Sequence, residues 1–333
     1  MAVSIVPSNT VPLSSRLVNG GPRPLVTNSN PQTANPPFPI LLADSILVPS
    51  SGENTFRSEN YKNNLGRPIE LRALRVFIQL NGTTWNLARG GGVIALSILI
   101  DGVPMTHGFV PVWHLCRSDN RFPEGGPLVP KSTTYYTWFF SRPVPLRPGK
   151  SLEVAARHLG GVPQNPNALV SVAFAGRVSP APIANWIPYA SHWTSQAFTY
   201  AQAGTDSAPP SSLVNDTGRD MVVDRIIGRA IANDDASLGA GNFELADFND
   251  VSLQGVTSFL VRLGLSQQRP ILKTYTPWRA VFGQNSALET DFVLKAGDYL
   301  TADVQHIAGP ALGAAFTFSQ SRGSISIVGS REV

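Results

Sequence analysis

The feature that most constrains this chain is a hairpin near its C-terminal end that repeats one near its middle. Thr290 to His306 reads TDFVLKAGDYLTADVQH, and Pro143 to His158 reads PVPLRPGKSLEVAARH. In both, an extended run reaches a leucine (Leu294, Leu146) and breaks at a Gly-centred turn, Lys295-Ala296-Gly297-Asp298 or Arg147-Pro148-Gly149-Lys150. It then resumes as an alternating strand that ends on His306 or His158. The echo extends outward in the same order. Leu65-Gly66-Arg67-Pro68 before IELRALRVFI matches Thr217-Gly218-Arg219-Asp220 before MVVDRIIGRAI, and Val112-Trp113 matches Pro277-Trp278. Downstream, LVSVAFAG (Leu169 to Gly176) aligns with LGAAFTFS (Leu312 to Ser319). Self-similarity kept in order over this distance marks a duplicated structural unit. The chain is expected to hold two copies of one fold.

The fold is expected to be β. Over 333 residues only 14% are charged, while Gly and Pro number 29 and 28, so turn formers are plentiful and helix formers scarce. An apolar share of 42% is enough for real cores. IELRALRVFIQL, VIALSILIDG, TTYYTWFF and LVSVAFAGRV read as strands of the first unit. MVVDRIIGRAIAN, VSLQGVTSFLVRLGL, ILKTYTPWRAVF, TDFVL and DYLTADVQH read as strands of the second, with SISIVGS as a terminal addition. Gly52 to Asn64 and Ala201 to Asp216 read as polar connections, and a helix is placed in the insertion from Ala236 to Asp250.

Eight strands per unit of about 145 residues, separated by turn signals, is the spacing of a β-sandwich. The simplest such unit is a jelly roll, two four-stranded sheets face to face. Leu152, Val154 and Ala156, with Leu300, Ala302 and Val304, are expected to point inward. Immunoglobulin-like sandwiches share this pattern, which leaves strand order open. The expected domains are an extended N-terminal arm over 1–37, a first jelly roll over 38–180 and a second over 181–333. The arm carries six prolines in its first 36 residues without strand or helix periodicity. Its Val3, Ile5, Val6, Val11, Leu13 and Leu17 are enough to anchor an extended strap on a neighbouring subunit.

A tandem of two similar eight-stranded units behind a short arm resembles the double-jelly-roll major capsid proteins of tailless icosahedral phages and related viruses. The resemblance covers residues 38 to 333 and rests on architecture, with no signature motif. It implies a virion structural protein, assembled in the host cytoplasm, whose homotrimers place six jelly rolls in a pseudo-hexagonal tile of an icosahedral shell. Neighbouring capsid subunits, and possible minor capsid proteins, are the partners it implies. The long loop insertions common in that family are absent, which leaves a capsid cement or decoration protein as the alternative, followed by a carbohydrate- or receptor-binding β-sandwich module.

The residues offer little chemistry. Cys116 is the one cysteine, so no disulfide forms within the chain. His107, His114, His158, His192 and His306 fall in no HExxH, HxH or Cys/His cluster, and the recurring pair His158/His306 reads as strand-end residues inherited by duplication. Arg89-Gly90-Gly91-Gly92 lacks the Lys-Ser/Thr of a phosphate-binding loop. No enzyme activity, catalytic residue, metal or cofactor is therefore expected. The net charge of +4 is small and its basic residues scattered, which argues against specific nucleic-acid binding. No apolar run approaches about 20 residues, so no transmembrane segment is expected. The six tryptophans are the material for either sugar stacking or contacts between subunits, and Trp138, Trp186 and Trp193 join Val3, Ile5, Val11 and Leu13 as the interface candidates.

Overall fold

The computed structural model describes residues 40–48, 56–80, 94–118, 134–158, 168–179, 185–199, 203–234, 244–247, 258–266, 269–282, 287–307 and 318–333. The candidates Val3, Ile5, Val11 and Leu13, together with the rest of the arm, lie outside them.

The first sandwich is built from β1 (Ile40–Val48), β2 (Phe56–Lys62), β3 (Ile69–Leu80), β4 (Ile94–Ile100), β5 (Val103–Pro104), β6 (Val110–Pro111), β7 (Arg117–Ser118), β8 (Thr134–Leu146), β9 (Ser151–His158) and β10 (Ala168–Val178). One sheet runs β1-β10-β3-β8, with β7 beyond it, and the other runs β2-β9-β4-β5, with β6 also on β4. The second sandwich uses β11 (Trp186–Thr194), β12 (Phe198–Thr199), β13 (Gly204–Ser207), β14 (Met221–Asp234), β15 (Glu244–Asp247), β16 (Ser258–Leu265), β17 (Thr276–Pro277), β18 (Ala287–Leu294), β19 (Leu300–Ile307) and β20 (Phe318–Glu332). One of its sheets runs β11-β20-β14, with β18 and β15 both on β14 and β12 also on β20, and the other runs β13-β19-β16-β17. Counting the eight principal strands of each unit in chain order, both sandwiches pair first-eighth-third-sixth and second-seventh-fourth-fifth. That alternation of consecutive strands between facing sheets is the jelly roll. The chain is a double jelly roll.

The duplication reaches individual turns. Gly149 and Gly297 both have positive φ, 76° and 81°, which only glycine adopts without strain. Their N–H groups donate to the carbonyls of Asn63 and Asn215, two buried asparagines in matching places. Asn63 Nδ2 donates to the carbonyls of Arg67 and Leu146, and Asn215 Nδ2 to those of Arg219 and Leu294, all at 2.8 Å. Each asparagine thus ties the approach to its third strand to the end of its sixth. A second shared device is a bulge: the register shifts between Leu71 and Ala73 in β3, and between Val223 and Arg225 in β14. Opposite lie Gly176 and Gly329, where a Cβ would meet the carbonyl of Glu70 or Val222. The cores are as expected on the inward faces, with Leu152, Val154, Ala156, Leu300, Ala302 and Val304 all buried.

Four readings of the sequence are corrected. The glycines set LVSVAFAG against Arg322–Gly329, so SISIVGS is the body of the eighth strand and LGAAFTFS is not its counterpart. Strands β2 and β13 occupy the two supposed polar connections; among the described residues each lies at a sheet edge, pairing with β9 or β19 alone, and carries too few apolar residues to read as a strand. TPWRAVF is not one strand: β17 stops at Pro277 and a helix follows, Trp278–Phe282. In the insertion placed as helical, the described residues Glu244–Asp247 form β15 instead.

Candidate assembly interface

Among the described residues, each sandwich carries one short helix between its fifth and sixth principal strands: α1 (Val112–Leu115) in the first and α2 (Trp278–Phe282) in the second. They start at the matched tryptophans, Trp113 and Trp278, both buried. All four residues of α1 are buried, because the helix is pressed between its own sandwich and the β11-β20-β14 sheet of the next.

On that sheet, side chains of the second sandwich reach back to the main chain of the first. Arg229 Nε donates to the Trp113 carbonyl (3.1 Å) with its guanidinium over the Trp113 ring, and Ser326 Oγ donates to the His114 carbonyl (3.1 Å). His114 is 1% exposed and sits 5.3 Å, ring to ring, from His192 of β11. Burial is the largest cause holding both imidazoles below their usual range, His192 at about 4. His192 and Arg229 oppose protonation of His114, and Arg157 that of His192. Both rings are neutral at physiological pH.

Beside α1 the joint becomes a short piece of shared backbone structure. Ala190 of β11 accepts from His107 N–H (2.8 Å) and donates to the Met105 carbonyl (3.0 Å), a parallel bridge centred on Thr106. Arg331 donates to the Pro104 carbonyl (2.9 Å) and lies over the Tyr189 ring. The Tyr189 hydroxyl donates to Asp216, whose other carboxylate oxygen pairs with His107 Nδ1 at 2.8 Å. Burial, reinforced by Asp216, raises the Tyr189 pKa far above the ordinary phenol, so it stays a donor. Further along, Ser141 of β8 donates to Asp224 (2.7 Å) in the bulge of β14, and Arg142 covers a face of Trp186 at 3.4 Å from the ring centroid. Burial raises the Asp224 pKa, partly offset by the Ser141 hydrogen bond. Ile187, Ala190, Ile227 and Val328 join the apolar core of the first sandwich, so the joint is continuous with that core. Such a contact, apolar at its centre with hydrogen-bonded polar groups around it, makes the two jelly rolls one body, although His114 Nε2 and Arg331 Nη1 are buried there without a hydrogen-bond partner.

The joint places the sequence candidates unequally. Trp186 belongs to it. Trp138 is a core residue of the first sandwich, edge-on to Phe140, and Trp193 is buried in the second core. Of the five tryptophans among the described residues, four are buried, and the half-buried Trp186 has one face covered by Arg142. His158 and His306 are fully buried at the ends of β9 and β19, His306 stacked on Phe198 at 5.5 Å. Among the described residues no group of three or more His, Cys, Asp or Glu could hold a metal, and no helix is long and apolar enough to cross a membrane.

Sequence reasoning missed Asn63, Asn215 and the Tyr189–Asp216–His107 chain. The asparagines had a signal, since both stand in Asn-x-x-Gly-Arg, three residues before the matched glycine. The chain had none, because its members come from three separate segments.

No protein-family model and no curated protein matches the sequence. Among solved structures, the chain is similar to VP54 of PBCV-1, fitted into a reconstruction of the virophage Sputnik, at 8% identity and a TM-score of 0.46 over 88% of this chain and 94% of that one. It is also similar to the major capsid protein of bacteriophage PM2, at 9% identity and 0.39 over 86% and 97%. The mavirus major capsid protein aligns at 7% identity and 0.33 over 100% and 92%.

Proposed function

We propose that the chain is a virion structural protein, the major capsid protein of an icosahedral shell, and that three copies associate into a pseudo-hexagonal tile. The reading assigns it to the virion, assembled in the host cytoplasm alongside neighbouring capsid subunits, with no catalytic role. The observation that carries it is the joint: two copies of one sandwich fixed rigidly together by unlike surfaces. A rigid pair joined head to tail is a building block for a closed ring, because the same kind of contact is available to successive copies. A carbohydrate-binding module would instead need exposed aromatic platforms.

Sedimentation velocity of the purified chain tests this reading. A trimer or larger assembly at micromolar concentration is expected. A stable monomer across that range, or glycan binding that is lost on a Trp→Ala substitution, would refute it.

A further inference from the structure

We infer that the joint between the two jelly rolls is an acid-operated latch: protonation of His114 and His192 parts the sandwiches while each stays folded. The inference concerns the single chain and does not depend on the assembly reading.

The hydrogen bonds at the seam leave each ring one neutral form. Ser326 Oγ donates to the His114 carbonyl, so the same oxygen accepts where it meets His114 Nδ1 at 3.3 Å, and Nδ1 carries the proton. His114 Nε2 is then a bare acceptor, buried and without a hydrogen-bond partner among the described residues. The second ring is fixed by a short relay. Ser324 Oγ donates to the Trp193 carbonyl (3.2 Å), so it accepts from Thr194 Oγ1 (2.8 Å), which in turn accepts from His192 Nε2–H (3.1 Å). A further proton must therefore enter at His114 Nε2 or at His192 Nδ1, and at His114 it becomes a buried charged donor with nothing to receive it.

The charges around the seam oppose that proton. Arg229 of β14 acts on His114 and Arg157 of β9 on His192, and both are cations. Arg322 lies two residues before Ser324 on the same face of β20. The carboxylates of the joint are engaged elsewhere: Asp216 with Tyr189 and His107, and Asp224 with Ser141, near Arg142, Arg225 and Glu289. Arg331 is held at the Pro104 carbonyl. Glu153 shares a face of β9 with Arg157 but stands about 13 Å further along the strand. Only His107 works the other way, since its protonation gives Asp216 an ion pair at the rim.

The strain falls on the joint because the two rings belong to different sandwiches. His114 is on α1 of the first and His192 on β11 of the second, so like charges would face each other across the boundary with ring centroids 5.3 Å apart. Parting the sandwiches brings water to both rings. It breaks the parallel bridge and the contacts of Arg229, Ser326 and Arg331 with the first sandwich's main chain, and it leaves the strand ladders of each sandwich intact.

Hydrogen exchange read by mass spectrometry near pH 7.5 and near pH 4.5, corrected for the intrinsic rate, tests the inference. The reporters are the His107 and Ala190 amides, whose hydrogen bonds cross the boundary, and the controls are central amides of β3 and β16. A folded-state value below the unfolded one means that the closed joint is fully stabilised above pH 6.5 and loses stability as pH falls. With 6.5 in the open joint and about 4 in the closed one, His192 alone multiplies the opening equilibrium about 70-fold over this interval. Reporter protection should fall by that factor or more while the controls hold. The double variant His114→Gln/His192→Gln should abolish the fall, and Arg157→Gln should reduce it, because a proton in the closed seam is then less opposed. Reporters unchanged over the interval, reporters and controls losing protection together, or a full response in either variant would overturn the latch. The two sets of amides in the natural chain decide the matter even where a variant does not fold.

Discussion

Replacing Asn215 with alanine tests whether the duplicated asparagine anchors hold the sandwiches together. Asn215 is 0% exposed; its amide serves the carbonyls of Arg219 and Leu294, and its Oδ1 accepts from the backbone N–H (3.3 Å) and Oγ1 (2.6 Å) of Thr217. The substitution strips two carbonyls of their side-chain donor in a site that no larger group refills. Each buried group left unpaired costs about 1–3 kcal/mol. Allowing the carbonyls' second lone pairs and some relaxation, the total is about 2–4 kcal/mol. For a unit of this size that is a fall of about 5–15 °C in melting temperature. Asn63→Ala should cost the same within about 1 kcal/mol, since both amides donate to two carbonyls at 2.8 Å, while Asn63 Oδ1 accepts from the Leu65 N–H alone where Asn215 Oδ1 also holds a hydroxyl. Asn215→Asp keeps the shape but sets an oxygen against two carbonyl oxygens. Its carboxyl would be pushed above the usual range, so the protonated form is favoured in the fold and the variant should regain stability as pH falls. Urea denaturation followed by tryptophan fluorescence reads all three. A loss below about 0.5 kcal/mol for Asn215→Ala would refute the anchoring role.

Gly329→Ala drives a Cβ into the Val222 carbonyl and should cost about 2–4 kcal/mol, measured by thermal melting, with Gly176→Ala matching it against Glu70. His114 and His192 have folded pKa values below the unfolded value of 6.5, so the stability they contribute is complete above that pH and is lost as pH falls toward about 4. Melting temperature should therefore drop over this interval, and His192→Gln should flatten the drop; an unchanged slope would count against the neutral pair. A chain beginning at Pro37 should melt like the full chain yet fail to form closed shells, and normal particles from it would remove the arm from assembly.

What was legible in the sequence was whatever a local pattern carries. The Gly149 and Gly297 turns were readable because one conformation demands one residue, and the alternation of Leu152 to Ala156 because a half-buried strand shows its period. Strands β2 and β13 were hidden because an edge strand stabilised by one neighbour needs few apolar side chains. Helices α1 and α2 were too short to show a helical period, and their positions follow from packing. The joint was least legible. Ala190 reads as an ordinary strand residue, and its meeting with His107 depends on how two finished sandwiches dock. The opening alignment failed at LGAAFTFS because apolar content alone was matched, whereas the bulge glycines fix the true register.

Electron microscopy of the native assembly tests the central claim most directly. The account expects threefold tiles, each with six sandwiches in a near-sixfold ring and alternate contacts made within and between chains. Separate two-sandwich particles, or a shell whose tiles are not built from three chains, would contradict it.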